Sequence, residues 1–574
     1  MAVRTLLAIT LAAATITAAA QQPARDTPAQ KAATPPPAGH ISGRVVAADT
    51  GRPVKRARVV AYAQELSDGR AALTDDSGAF DLTELPAGRY TLNVSKAGFV
   101  SLSYGQRRPL QAGTPLQLAD GQQLKGVDFR LPRGGVISGR VSDEDGDPLP
   151  GTMVRVMRYQ YLQGDRQLVP VGNAQTDDRG QYRVWGLTPG DYYVSAVARN
   201  PGGGRFGGAF GGGRGFGGRG LPTENDDEDQ LGYAPTYYPG VGSTAEARPV
   251  PVGLSQEVLS VDFAVQLVRT SRVKGLVSNS DGSPSSSGNV QLMPEASAGR
   301  GQMGMRYGSR IRWDGAFDIA NVPPGRYLLR ARGNDTDPPE YAEQPLTVAG
   351  GDLPDVAVVL MPGATIKGAV TFEASPNAES VNPADVRITA PSFTESSVGP
   401  NPNARPGKDG RFTLEGVPVG SHLVRANNVP RGWMLKAVVV NGQDVTDQPV
   451  DLRSGQTLDG VTVVFTDKLG QISGTVTDDT GHPVTEFTVL AFPTDTSLWR
   501  PQARQIMTSR PDQNGKYQLK GLPAGEYYVA TVDPAESGEW FEPSFLDQHR
   551  ASATTVTLGE GDAKTTDFTV NAGK

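Results

Sequence analysis

The sequence predicts an all-β chain, a tandem array of five β-sandwich domains. Three observations carry this expectation. A strand-like opening recurs five times along the chain, and a paired-glycine block with fixed internal spacing accompanies each opening. The 574 residues include 70 glycines and 45 prolines, a share that suits strands and turns better than helices. Repeats with the length of a domain are the first thing to seek in such a chain.

The openings are Ile41-Ser-Gly-Arg-Val45, Ile137-Ser-Gly-Arg-Val141, Val273-Lys-Gly-Leu-Val277, Ile366-Lys-Gly-Ala-Val370 and Ile472-Ser-Gly-Thr-Val476, spaced by 96, 136, 93 and 106 residues. Each spacing fits one domain. A turn follows, with proline two residues past glycine at Pro53, Pro148, Pro284 and Pro483; the fourth copy lacks it. Next comes the block, whose two glycines (78/88, 180/190, 315/325, 410/420, 515/525) stand ten residues apart in all five copies. After the first glycine, an aromatic (Phe80, Tyr182, Phe317, Phe412, Tyr517) alternates with an aliphatic (Leu82, Val184, Ile319, Leu414, Leu519). Period-two alternation is the mark of a half-buried strand. After the second glycine, Tyr90, Tyr192, Tyr327, His422 or Tyr527 begins another alternating strand. The turn glycines are expected to supply positive φ. Closing strands are read at Val127–Leu131, Val261–Val265, Val356–Val358, Val461–Val463 and Asp567–Val570. No helical periodicity is evident after the leader.

The expected organisation is a signal peptide at 1–20, a Pro/Ala-rich linker at 21–40 and sandwiches at 41–131, 137–265, 273–361, 366–465 and 472–570. The second sandwich carries a Gly-rich and acidic insertion at 201–230. Arg4, the apolar run Leu6–Ile16 and Ala18-Ala19-Ala20 have the form of an export leader cut near Ala20. The run is too short to span a bilayer, so the mature chain is read as secreted or periplasmic with no transmembrane segment. Short joints such as 132–135 and 362–364 predict a semi-rigid, elongated rod.

These motifs resemble the carboxypeptidase regulatory-like domain, repeated five times after residue 40. The resemblance implies a Greek-key sandwich of the transthyretin (prealbumin-like) type, in a fold group that includes carbohydrate-binding modules. The resemblance is specific for fold and weak for function, because the module accompanies many different partners. The fourth copy departs most, with His422 in the tyrosine position.

Composition excludes several functions. With no cysteine in the chain, disulfides, thiolate metal sites and thiol nucleophiles are ruled out. The four histidines, His40, His422, His482 and His549, form no His-x-x-Glu pair, so a catalytic zinc site is not expected. No Gly-x-Ser-x-Gly elbow or phosphate loop occurs. No cofactor or metal is therefore assigned. A net charge of −6 argues against nucleic acid. The arginines and phenylalanines of 201–220 imitate a nucleic-acid-binding tract but read as a flexible loop. Acidic turns at 74–78, 143–147 and 176–180 read as β-turn chemistry, with calcium as the alternative.

Aromatics off the core pattern are the candidate ligand-binding residues: Trp185, Trp313, Tyr237, Tyr238, Trp540 and Phe541. Exposed aromatic faces can stack on sugar rings or anchor peptides; the competing reading is a small core beneath a long loop. The expected function is an exported, non-catalytic binding or scaffold protein for polysaccharide or cell-surface glycan. A structural spacer or an assembly or adhesion subunit of the cell envelope, with an envelope protein as partner, is the alternative. An accessory role in a hydrolase or carboxypeptidase system is a third reading.

Overall fold

A computed structural model describes residues 38–66, 68–106, 111–162, 165–198, 231–295, 307–376, 378, 380–393, 402–533 and 538–571. The leader, most of the linker and the 201–230 insertion lie outside them. The described chain is all-β, with sheets packed in facing pairs around successive apolar cores.

The opening strands are Gly39–Ala47, Gly135–Ser142, Ser271–Ser278, Ala364–Glu373 and Gly470–Thr477. Each pairs antiparallel with the first strand of its glycine block, in one shared register. The motif glycine faces the aromatic every time: Gly43 opposite Phe80, Gly139 opposite Tyr182, Gly275 opposite Phe317, Gly368 opposite Phe412 and Gly474 opposite Tyr517. On its other edge the opening strand pairs parallel with the closing strand, as in Val45 with Phe129 and Val476 with Phe568. Parallel neighbours require a long crossover, and the rest of the repeat supplies it. The second strand of the block lies in the facing sheet. In the first repeat that sheet runs Arg70–Leu73, Arg58–Tyr62, Gly88–Ser95 and Leu102–Ser103, with Leu116–Leu118 also on Gly88–Ser95. Ile41, Leu82, Tyr90 and Leu92 close the core between the layers at 0–1% exposure.

The motif glycine is dictated by a close approach. A methyl group on Gly43, Gly139, Gly275, Gly368 or Gly474 would lie 1.9–2.2 Å from the carbonyl oxygen of Val127, Val261, Val356, Val461 or Thr566. That carbonyl belongs to the incoming closing strand. The first glycine of each block has positive φ, from 71° to 80°, as the turn requires. The second glycine differs from expectation: φ is positive at Gly190 and Gly420 but at none of Gly88, Gly325 and Gly525. At Gly325 a side chain would come within 3.3 Å of the Tyr327 ring, a tight approach, whereas at Gly525 the nearest atom of the Tyr527 ring would be an ordinary contact at 3.6 Å.

That ring has a fixed task. The hydroxyls of Tyr90, Tyr327 and Tyr527 donate to the carbonyls of Pro86, Pro323 and Pro523 at 2.6–2.8 Å, and Tyr192 donates likewise to Thr188. Each bond ties the turn to the strand that leaves it. His422 stands in the tyrosine position of the fourth repeat but makes a different contact: it is 1% exposed and its Nδ1 meets the Ala390 carbonyl oxygen, 32 residues earlier, at 2.8 Å.

The repeats divide at the closing strand. In the first, second and fifth, the Asp128, Asp262 and Asp567 carboxylates accept from the backbone N–H of Arg44, Arg140 and Thr475 at 2.7–2.8 Å. These amides lie just before the closing strand joins the ladder. In the third and fourth, Ala357 and Thr462 occupy this place and the strand itself pairs with Leu276 and Ala369. A carboxylate is needed only where the ladder is interrupted. The fourth repeat departs further, because Met434–Val440 joins the first sheet beside Thr457–Thr466.

Two expectations are corrected. A helix is present at Pro543–Arg550, seated by the fully buried Leu546. Two turns are too short for a periodic pattern to show, and tertiary packing supplies the stability such a helix lacks alone. The array is also not an extended rod, because the first sandwich touches the fourth and the fifth. The joints are pinned as expected of short links. Arg133 pairs with Asp49 at 2.9 Å and lies over Phe99, and the Pro362 carbonyl accepts from Gly455 and Ser454 at 3.1 Å. Stiff joints set at an angle curl a chain as firmly as straight ones extend it.

In the third sandwich, Ser285, Ser286 and Ser287 all donate to Asp335, with the Ser286 N–H at 2.5 Å and the hydroxyls at 2.7–3.1 Å. Burial pushes this carboxyl up, but the serine bonds outweigh it and hold it at about 2. The unfolded value is about 3.9. A depressed folded value means the clamp stabilises above pH ~4 and loses that contribution as pH falls toward 2. Asp335→Asn should therefore lower stability by about 1 kcal/mol near neutrality, after discounting for exposure, and by much less at pH ~2, where the contribution is being lost. Equal losses at both pH values in thermal melts would contradict this assignment.

Candidate functional site

The recurrent polar motifs are absorbed by the fold. In the first acidic turn, the Asp75 Oδ1 accepts from the Ser77 and Ala79 N–H groups at 2.8 and 2.9 Å. Asp143 and Asp177 do the same for Asp145 and Asp147, and for Arg179 and Gln181. The Ser77 hydroxyl, followed by the Ala79 amide, holds the Asp75 carboxyl below its usual range. These carboxylates serve their own turns, the arrangement that makes Asp a turn former. Among the described residues, no group of three or more His, Asp and Glu side chains is placed to hold a metal ion.

The four histidines lie apart in separate environments. His40 stands 3.8 Å from Asp81, His482 bonds Thr480 at 2.7 Å within its turn, and His549 contacts the Phe545 carbonyl at 2.7 Å. His422 is buried in the fourth core. Asp478 stands 3.7 Å from His482, but its carboxylate accepts from the Thr480 hydroxyl and from the Thr480 and His482 N–H groups, so this trio closes an exposed turn.

The six candidate aromatics are dispersed over three sandwiches. Trp185 lies on Gln181–Leu187, where Tyr182 and Val184 point inward at 4% and 3% exposure while Trp185 is 55% exposed. Arg183, on the same outward face, pairs with Glu257 at 3.1 Å. Trp313 is 82% exposed in the turn before Ala316–Val322. Beside it, Arg312, Lys274, Leu276, Asp318 and Asp355 line a groove of about 550 Å³.

The other four are half-buried. Tyr238 rests on the second core with its ring 6.1 Å from Phe263, edge to face. Tyr237 sits on a short strand beside Ser195, and burial pushes its hydroxyl pKa up. Trp540 and Phe541 form a 3₁₀ turn and pack on a second apolar cluster of the fifth sandwich, with Leu490, Phe492, Trp499 and Leu546. The small core beneath a long loop describes this pair. Trp499 anchors that cluster, its indole N–H donating to the Pro493 carbonyl at 2.8 Å. Its single occurrence, in one repeat, left no periodic signal.

Two polar junctions between sandwiches escaped sequence reasoning. Asp447 of the fourth accepts from Arg504 Nε at 3.0 Å and Nη2 at 2.9 Å, and from Gln505 at 2.6 Å, all of the fifth. Arg425 stands 3.6 Å away, and Arg504 also donates to the Leu435 carbonyl at 2.7 Å. The second junction joins the fifth sandwich to the first. No sequence pattern marks either, because the partners lie 57 or more residues apart.

The fold and this surface define a tandem β-sandwich protein whose motif residues are structural. The carboxypeptidase regulatory-like domain matches residues 40–132, 136–204 and 471–571. These are the first, second and fifth repeats, the ones that carry Asp128, Asp262 and Asp567; the resemblance to this family does not extend by that match to the third and fourth. No curated protein matches the chain. Similar solved structures include the TIE protein of Bacillus anthracis, at 10% identity over 75% of this chain and 73% of that one, TM-score 0.15. They also include the minor pilin GBS52 of Streptococcus agalactiae, at 14% identity over 40% and 97%, TM-score 0.22. The major pilin subunit BcpA of Bacillus cereus matches at 12% identity over 52% and 98%, TM-score 0.14. Superposition this loose carries no functional argument. Among the described residues, no helix is long and apolar enough to cross a membrane.

Proposed function

We propose that the chain is a non-catalytic structural protein of the cell exterior or envelope, a spacer or assembly subunit built from five sandwiches at 41–131, 137–265, 273–361, 366–465 and 472–570. The leader pattern at 1–20 supports export. The observation that carries the reading is the employment of the motif residues. The recurring glycine, tyrosine and aspartate each meet a backbone group of their own repeat, which leaves them committed to rigidity. Such a chain offers stiffness and surface. Single-molecule pulling of the full chain should give five separate unfolding peaks. A single peak, or turnover of peptide or glycoside substrates by the purified chain, would defeat this reading.

A second reading, glycan binding, is supported by the two outward tryptophans, Trp185 and Trp313. Here Trp313 is the stacking face and the neighbouring Lys274, Arg312 and Asp355 supply polar contacts to hydroxyl groups. Polysaccharide pull-down by the full chain should weaken severalfold in Trp313→Ala if this holds. Retention that ignores both Trp185→Ala and Trp313→Ala would leave the structural reading alone.

A further inference from the structure

We propose that the first sandwich is the docking partner of the fifth, so that the chain closes on itself through a polar clasp centred on Arg510. Arg510 is only 6% exposed. Its Nε donates to the Thr485 carbonyl of its own sandwich at 3.1 Å. Its two other nitrogens leave that sandwich: Nη1 donates to the Ala112 carbonyl and Nη2 to the Gly105 carbonyl at 3.4 Å. Arg89 returns the contact, donating to the Arg510 carbonyl at 2.5 Å. Beside them Gln117 and Gln513 bond reciprocally. The Gln117 N–H meets Gln513 Oε1, and Gln513 Nε2 meets the Gln117 carbonyl, both at 2.9 Å. Arg431 of the fourth sandwich adds a contact to Glu65 at 3.4 Å.

A guanidinium must keep hydrogen-bond partners when it leaves water, and here the first sandwich supplies them. The clasp is polar throughout, with backbone carbonyls as its main acceptors. Such an interface is closer to a reversible contact between domains than to a shared core. Its two halves belong to one chain with pinned joints, so docking of the first sandwich on the fifth is intramolecular and independent of concentration. A second copy at micromolar concentration competes poorly against that. Closure is independent of the spacer reading and would stand with a glycan-binding chain as well.

The absence of cysteine from the sequence makes a clean test available. The full chain carrying Gln117→Cys and Gln513→Cys is treated with a short bismaleimide at low micromolar concentration. The expected product is a looped monomer of altered gel mobility. Adding Arg510→Ala should reduce its yield at least severalfold, and Arg89→Ala, which acts from the first sandwich, should reduce it as well. Thermal melts identify any loss due to unfolding of the fifth sandwich, and Arg89→Ala leaves that sandwich intact. Absence of the looped product, cross-linked dimers that grow with concentration, or a yield unchanged by both arginine variants would each overturn the clasp.

Discussion

Gly474→Ala should unfold the fifth sandwich or lower its stability by on the order of 3 kcal/mol, the upper range for forcing atoms into a packed site. The added methyl would sit 1.9 Å from the Thr566 carbonyl oxygen. That oxygen cannot retreat freely, because the Tyr517 hydroxyl donates to it at 2.6 Å and the adjacent Asp567 bonds Thr475 at 2.7 Å. The opening and closing strands would have to part. Calorimetry of the full chain should show one transition lost or shifted down, with those of the other sandwiches retained. A melting profile matching the unmodified chain would show that the strands tolerate the methyl, and the account of the motif glycine would be wrong. The same substitution at Gly43 or Gly139 should act on its own sandwich.

Asp447→Ala should cost about 3 kcal/mol, the scale for removing one partner of a buried ion cluster. Burial pushes the Asp447 carboxyl up, but Arg504, Gln505 and Arg425 hold it below the usual range. Burial likewise pushes Arg425 down to about 10, with Asp447 opposing. Without the carboxylate, two guanidinium groups face one another across the joint between the fourth and fifth sandwiches. A depressed carboxyl stabilises above its unfolded value of about 4 and loses that contribution as pH falls through the folded value. The variant should therefore lose most at neutral pH and converge with the unmodified chain in acid. A neutral-pH denaturation midpoint that does not move would remove this junction from the stabilising set.

Much of the fold was legible because each repeat states its own geometry. The ten-residue glycine spacing, the aromatic after the first glycine and the tyrosine after the second lie within one short strand–turn–strand segment, whose two strands go to facing sheets. Alternation alone sends Tyr182 and Val184 inward and Trp185 outward. The candidate site was less legible. Trp540 and Phe541 break the same pattern as Trp313 does, yet they pack on Leu490 and Phe492 while Trp313 stands in solvent. Off-pattern position marks a residue as outside the main core. It cannot tell a second core from a surface, since that depends on which distant segment arrives to cover it.

The amino-acid order by itself determined the repeated strands and their inward faces, because these follow from period-two burial and from turns that only certain residues can make. The tertiary structure alone decided why the opening glycine is needed, where a carboxylate replaces a missing ladder bond, and that the last sandwich meets the first. Each of those depends on atoms brought together across scores or hundreds of residues, and such contacts leave no periodic trace along the chain.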